Sequence, residues 1–330
     1  MGKPIIALTM GDASGIGPEL VAKALADDGV YHRCQPVVIG DPDVINDAIR
    51  LINLNKGIKC INDIKEAGLE PSCIEVFKPS GVAITEIRRG VVDPVAGRSA
   101  VICLKEAYSF AIDGKISGVV SAPMNKEAFH QAGFHYLDEL ELLAEYTASP
   151  AAFIMGVMGS LWTVAVTTHI AFRDIAANIK QKSVLSHITA LHGVLTKIGV
   201  EIPRIAVAAL NVHGGEGGLY GREEIDEIIP AIEQAVGSGM NVAGPIPADS
   251  IFVRAVEGEF DGVVSMYHDQ ATIIRKFHAK RTGATIFIGL PVVCGTTAHG
   301  TAFDIAGQGV AEPGSFLEAL EYAIRLAATV

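Results

Sequence analysis

The chain has 330 residues, 49% of them hydrophobic, 19% charged and 6% aromatic, with 35 glycines and a formal net charge of -11. That is enough apolar material for one large α/β domain or two lobes around a cleft, and the acidic balance without a basic run argues against nucleic acid as a partner. No apolar stretch reaches the roughly 18 residues of a membrane span, and the apolar start IIALTM is too short for a signal-peptide core.

In chain order, the first strand is predicted at residues 4–10 (PIIALTM), running into the loop TMGDASGIGPEL (9–20), with Pro18 at a plausible first helical position. This loop could offer backbone N–H groups to an anion at a helix N-terminus, or be a plain strand-to-helix turn. Further strands are predicted at 35–40, 116–123, 151–158, 161–169, 204–213, 260–268 and 284–291. Helical periodicity covers 97–115, 182–199 and 222–239; the acidic residues opening the last of these suit a helix dipole. The alternation predicts parallel sheets covered by helices. The segment HGTAFDIAGQG (299–309) has the small residues that let a backbone approach a nucleotide, although composition alone would equally give a tight turn. No GxGxxG follows an early strand, so the usual dinucleotide fingerprint is absent. Five scattered cysteines (Cys34, Cys60, Cys73, Cys103, Cys294) lack CxxC spacing and read as reduced thiols of a cytoplasmic protein.

The sharpest feature is positional. Three apolar strands each end in a histidine: His169 after TVAVTT, His213 after IAVAALNV and His268 after GVVSMY. Ligands of open α/β sheets bind at the carboxyl ends of strands, where three imidazoles could hold a divalent metal with positions open for substrate. Singly, each would more readily cap a strand or bond a carbonyl; the joint pattern favours the metal. The run KFHAKR (276–281) is a cationic knot in an acidic chain, and beside a metal site Lys276 becomes an anion clamp rather than part of a solvated face.

The segments TMGDASGIGPE, SAPMNKEAFHQAG, TTHIAFRD, LNVHGGEGG, GPIPADSIF, YHDQ, IGLP and HGTAFDIAG, in that order over nearly the whole chain, closely resemble the 4-hydroxythreonine-4-phosphate dehydrogenase family of pyridoxine biosynthesis. HGTAFDIAG is also similar to the adenine-side loop of the isocitrate and isopropylmalate dehydrogenases. The resemblance implies a two-lobe α/β/α fold like those enzymes, the active site in the interlobe cleft, with residues 1–128 plus 292–330 in one lobe and 129–291 in the other. It implies a homodimer with a shared metal (zinc, cobalt, manganese or magnesium): His169 and His213 from one chain and His268 from its partner. It assigns NAD or NADP to His299, Gly300, Thr301 and Asp304, a substrate contact to Lys276, and site-lining acids to Asp249 and Asp269, either of which would orient substrate or accept a proton.

This chain also departs from the family pattern. Glu139 and Leu140 stand where the family's substrate-contacting His-Thr pair would fall, Thr285 where it has Asn, and Cys294 where it has Arg. A carboxylate repels a phosphate by about 1 kcal/mol at 4 Å in water, and cysteine cannot replace a bidentate arginine. The expected activity is metal-dependent oxidation of a secondary hydroxyl of a hydroxy acid, with decarboxylation of the resulting β-keto acid as a further step. The alternatives are an unphosphorylated substrate (a cis-dihydrodiol carboxylate or a sugar acid), acyl transfer to phosphate, or a non-catalytic metabolite-binding protein.

Overall fold

The computed structural model describes residues 2–279 and 282–328. Its strands in chain order are β1 (Ile5–Thr9), β2 (Gln35–Ile39), β3 (Gly57–Ile61), β4 (Cys73–Phe77), β5 (Gly118–Ser121), β6 (Phe153–Met158), β7 (Leu161–Thr167), β8 (Arg204–Ala208), β9 (Asn241–Ile246), β10 (Gly262–Tyr267), β11 (Ala284–Ile288) and β12 (Val293–Thr297). The chain divides into two compact units, one up to Phe153 joined by Ala284–Ala328, the other Ile154–Gly283.

In the first unit the strand order is β3-β4-β2-β1-β5-β12-β11. All neighbours are parallel except the β11–β12 pair. The central strands are fully buried apolar runs: Ile6, Ala7 and Leu8, Val37 to Ile39, and Val119 with Val120 are all 0% exposed. Such two-sided burial is what a parallel sheet covered by helices demands. The helix Pro94–Ile112 lies against this sheet, begun by Asp93, whose side chain accepts from Val95 N, and by Pro94 in the first turn. The helix Lys126–Gln131 packs on it where Gly97 leaves no room for a side chain: a Cβ there would meet the Ala128 and Phe129 backbone.

In the second unit the order is β6-β7-β10-β8-β9, with β6 and β7 antiparallel and the rest parallel. The helix Gln181–Lys197 covers this sheet with Val184, Ile188, Leu191, Val194 and Leu195, an i, i+4, i+7 stripe. The sheet makes β7, β10 and β8 consecutive neighbours, so their carboxyl ends lie side by side. Among the described residues, no helix is long and apolar enough to cross a membrane.

The structure moves two parts of the expected lobe division. Residues 129–153, with the helix Glu139–Tyr146, and the strand β11 fall in the first unit rather than with the histidine-bearing segment. The reason is pairing: β11 hydrogen-bonds to β12 along Ala284–Phe287.

Candidate functional site

In the second unit, β7 and β10 bring His169 and His268 to one edge, whereas β8 ends at Ala208 rather than at His213, which lies five residues further on in a loop. The His169 and His268 rings have centroids 6.2 Å apart, and both line a cavity of ≈ 260 Å³ with Thr167, Phe172 and Tyr267. Thr167 Oγ1 donates to Met266 O at 2.8 Å, locking the two strand ends together. His213 opens a different kind of loop. Five consecutive residues, His213 to Gly217, have φ of 51, 70, 77, 44 and 68°. This left-handed run is why the loop is HGGEG: glycine adopts it freely, whereas His213 and Glu216 are held there against steric cost. His169 is also left-handed, at φ 48°.

Two of the imidazoles have their orientation set by a carboxylate. His213 Nδ1 lies 3.0 Å from Glu216 Oε1, and His268 Nδ1 lies 2.7 Å from Asp269 Oδ1. An ionised carboxylate only accepts, so in each neutral ring Nδ1 carries the proton and Nε2 keeps its lone pair. That is the ring state a metal-binding histidine needs, and the donor set suits a divalent transition ion. Within one copy, no group of three or more His, Cys, Asp or Glu converges to hold a metal among the described residues.

The scaffold behind these histidines includes two residues the sequence reading did not assign. Gln270 accepts from Met266 N at 2.7 Å and donates to Ala209 O at 2.9 Å, tying the ends of β10 and β8. Glu224, 2% exposed, accepts from Leu210 N at 2.8 Å, Asn211 N at 2.7 Å and Asn211 Nδ2 at 2.9 Å. Its segment, expected as a helix opened by dipole-facing acids, begins as a π-helical turn, Glu224–Ile228, before the α-helix Ile229–Gly237. Glu224 therefore points into the protein, at the chain that leads to His213. Gly221 permits this, since a Cβ there would collide with Asn211 Nδ2.

Asp249 and Asp269 are both exposed and border one groove of ≈ 590 Å³ between the helices Ala248–Val256 and His268–Ala279. Lys276 is exposed on the second of these helices, next to Phe277, which is 80% exposed. Lys280 and Arg281, the end of the cationic run, lie outside the described residues.

The first unit holds the other constellation. The loop after β1 and the segment 299–304, two separate features in the sequence, are laced together. Ile16 N donates to Thr301 O at 3.0 Å, and a Cβ on Gly15 would stand 2.8 Å from that oxygen. Thr301 is buried, while His299, Gly300 and Asp304 are exposed, leaving a backbone ledge with an open carboxylate. Asp12, fully buried in the same loop, accepts from Ser14 N at 2.8 Å, and burial pushes its carboxyl up to about 6.

Glu139, Cys294 and Thr285 also belong here. Glu139 begins the helix Glu139–Tyr146, which Asp138 caps by accepting from Glu141 N at 2.9 Å. The hydroxyl of Ser121, at the carboxyl end of β5, donates to Glu139 Oε1. Burial pushes the Glu139 carboxyl up to about 7, against the opposing Ser121 hydrogen bond. Cys294 is fully buried on β12, and Thr285 pairs with Thr296 across the β11–β12 hairpin. Leu140 is half-buried beside Glu139.

Parallel α/β units with histidines at strand ends and a small-residue loop after β12 define the class: a two-unit α/β protein with the fold of isocitrate dehydrogenase. The structure of that enzyme from Methylococcus capsulatus, only 13% identical, shows the fold alone (TM-score 0.50, covering 96% of this chain and 83% of that one). More specifically, the model of the pyridoxal phosphate biosynthetic protein PdxA matches residues 32–323, and the chain belongs to that family. It is 40% identical to D-threonate 4-phosphate dehydrogenase of Cupriavidus necator, over 98% of this chain and 97% of that protein. Among solved structures, a 4-hydroxythreonine-4-phosphate dehydrogenase from Burkholderia phymatum is 39% identical with TM-score 0.83, covering 99% of both chains. A terephthalate 1,2-cis-dihydrodiol dehydrogenase from Burkholderia xenovorans is 29% identical with TM-score 0.68, covering 98% of both.

Proposed function

We propose that this protein is a metal-dependent, NAD-linked dehydrogenase that oxidises a secondary hydroxyl of a hydroxy acid; relatives named as dehydrogenases of D-threonate 4-phosphate and 4-hydroxythreonine-4-phosphate support the dehydrogenase part of this reading. The observation that carries the reading is the histidine set: His169 and His268 at the ends of adjacent strands and His213 in the loop five residues beyond the neighbouring strand, with Nδ1 of His213 and of His268 engaged by a carboxylate and Nε2 left with its lone pair. His169 and His213 of one copy would hold the ion with His268 of a second copy.

Bound there, a divalent ion supplies Lewis acidity that makes the substrate hydroxyl easier to deprotonate. Asp269 or Asp249 takes the hydroxyl proton, and a nicotinamide dinucleotide, when bound, would supply the hydride acceptor for oxidation of that carbon. Lys276 holds an anionic group of the substrate. The ledge of His299, Gly300 and Thr301, with Asp304 exposed beside it, receives the dinucleotide, NAD or NADP. Where the hydroxyl is β to a carboxylate, the β-keto acid formed can then lose carbon dioxide.

A second copy also has a surface to sit on. Val253, Ile273 and Phe277, at 59, 69 and 80% exposure, line the groove that Asp249 and Asp269 border. Three large apolar side chains so open beside polar site residues mark an association face.

The test is NAD reduction over a panel of hydroxy acids with and without added zinc, cobalt, manganese or magnesium, alongside calorimetric metal titration. Metal-stimulated NADH formation is expected, lost in His213→Ala and His268→Ala together with tight metal binding. Full metal affinity in both variants would overturn the metal assignment.

A further inference from the structure

Glu19 and Lys23 lie one turn apart on the helix Gly17–Ala24, the acid in its first turn and the base in its last, as the helix dipole favours. Their charged groups meet at 2.8 Å. An i, i+4 pair of this kind is ordinarily an exposed bridge of small consequence. Here Glu19 is only 3% exposed, and both side chains also bind the backbone of one segment nearly three hundred residues away in sequence. Glu19 Oε1 accepts from Ala311 N at 2.7 Å, and Lys23 Nζ donates to Gly309 O at 2.8 Å and Ala311 O at 2.6 Å.

That segment closes the loop that carries His299, Gly300, Thr301 and Asp304. The near end of the loop is fixed by Ile16, the residue before the same helix, whose N–H donates to Thr301 O at 3.0 Å. Its far end is fixed by Glu19 and Lys23. Thr301 and Ala311 are buried, but no residue from 302 to 310 is, and Val310 is 56% exposed. Inside the loop the backbone bonds are turns, Ile305 N to Ala302 O at 3.1 Å and Gln308 N to Ile305 O at 3.2 Å. Few buried apolar contacts mark a segment that opens locally. The order of this loop therefore depends on the polar contacts at its two ends, and one short helix supplies both.

We infer that Glu19 and Lys23 are positioning residues for the dinucleotide: a buried clasp that keeps residues 301–311 in the shape that receives it. The inference rests on the reading of residues 299–304 as the dinucleotide ledge and extends it to two residues outside that ledge. Removing one partner of a buried pair leaves the other charge uncompensated, so the two groups act as a unit. A ligand that needs the loop in place binds more weakly in proportion to the fraction of time the loop is out of place.

The experiment titrates NADH and NADPH by fluorescence into the parent, Lys23→Arg, Lys23→Gln and the double variant Glu19→Gln/Lys23→Met, and follows hydrogen exchange by mass spectrometry on the same samples. In the double variant both charges go together, so neither is left buried alone; Lys23→Gln, a milder change, keeps the comparison if the double variant does not fold. The double variant is expected to bind the dinucleotide preferred by the parent about tenfold more weakly. Exchange should quicken across residues 301–311 and stay unchanged in β1 and β5, which shows the sheet intact. Lys23→Gln should fall between the two, and Lys23→Arg, still a cationic donor, should restore affinity to within about threefold of the parent. Parent-like affinity in Lys23→Gln and the double variant, or weaker binding without faster exchange in the loop, overturns the inference and leaves the dinucleotide reading standing. A parent protein that binds neither NADH nor NADPH overturns the dinucleotide reading itself, and the inference with it.

Discussion

Replacing Glu224 separates support of the metal loop from the metal ligands themselves. Glu224→Ala removes an acceptor from Leu210 N, Asn211 N and Asn211 Nδ2, which lie 2.7–2.9 Å from its oxygens. A hydrogen bond to a charged group contributes about 1.5–3 kcal/mol, and a buried donor left unpaired costs about 1–3. Leu210 and Asn211 are half-buried, so water reaches the vacated donors in part. The lower end of each range then applies, about 1–1.5 kcal/mol for each of the three donors, giving a loss of about 3–4.5 kcal/mol. Glu224→Gln keeps one acceptor oxygen for the two backbone donors but turns an NH2 toward Asn211 Nδ2, and should lose only about 1 kcal/mol. The larger effect falls on metal affinity. Asn211 lies two residues before the left-handed run that begins at His213, and loss of a group that orients a metal ligand weakens binding about 10–100-fold. Urea unfolding and calorimetric titration with zinc read the two effects on the same samples. If Glu224→Ala keeps both its unfolding midpoint and its zinc affinity, the carboxylate is not what holds the loop, and the reasoning fails.

Two further predictions concern stability and assembly. Asp12 has its carboxyl raised by burial from 3.8 to about 6, so its contribution is favourable below pH 3.8, where both states are protonated, and is lost as pH rises through 6. About two pKa units correspond to about 3 kcal/mol. Asp12→Asn should therefore be more stable than the parent by up to that amount above pH 6, with the gap closing below pH 4 in urea melts at stepped pH; a gap independent of pH would refute it. Phe277→Glu places a charge at the most open apolar position of the Val253–Ile273–Phe277 face, and sedimentation should show the dimer dissociating at micromolar concentration with zinc affinity falling in step. A monomeric parent protein would remove the basis for the shared metal.

Where sequence periodicity was strong, the fold could be read; where it was weak, tertiary context decided. The buried parallel strands β1, β2, β5, β7 and β10 are apolar runs and stand where the sequence places them, whereas β8 starts as expected at Arg204 but ends at Ala208, short of His213. Of the four missed strands, β4 is a short run, CIEVF, broken by Glu75 although Ile74 and Val76 are buried, and the other three lack an apolar run. β3 is an edge strand with Gly57, Lys59 and Cys60 turned to solvent or partly so, β9 contains Gly244–Pro245, and β12 reads VCGTT, more like a loop than a sheet interior. Recognising β12 as a strand is what draws β11 into the first unit. The same limit applies to side chains. The acids of 222–227 looked like a solvated first turn because helical periodicity predicts which face a residue occupies. It says nothing of a π turn that swings Glu224 inward.

The histidines show what remains hidden even when the right residues are chosen. Their strand-end positions are visible in the sequence, yet their backbone states differ. His169 and His213 have φ of 48 and 51°, a conformation that costs a non-glycine residue roughly 1–2 kcal/mol. His268 opens the regular helix His268–Ala279 and carries no such cost. Strain persists at a site only where surrounding structure enforces it. Here the enforcement is visible for His213 in the glycines around it and in the Glu224 brace, and for His169 in the Thr167 bond to the neighbouring strand. Two strained, fixed imidazoles and one relaxed imidazole on a helix beside an open apolar face form an asymmetric set.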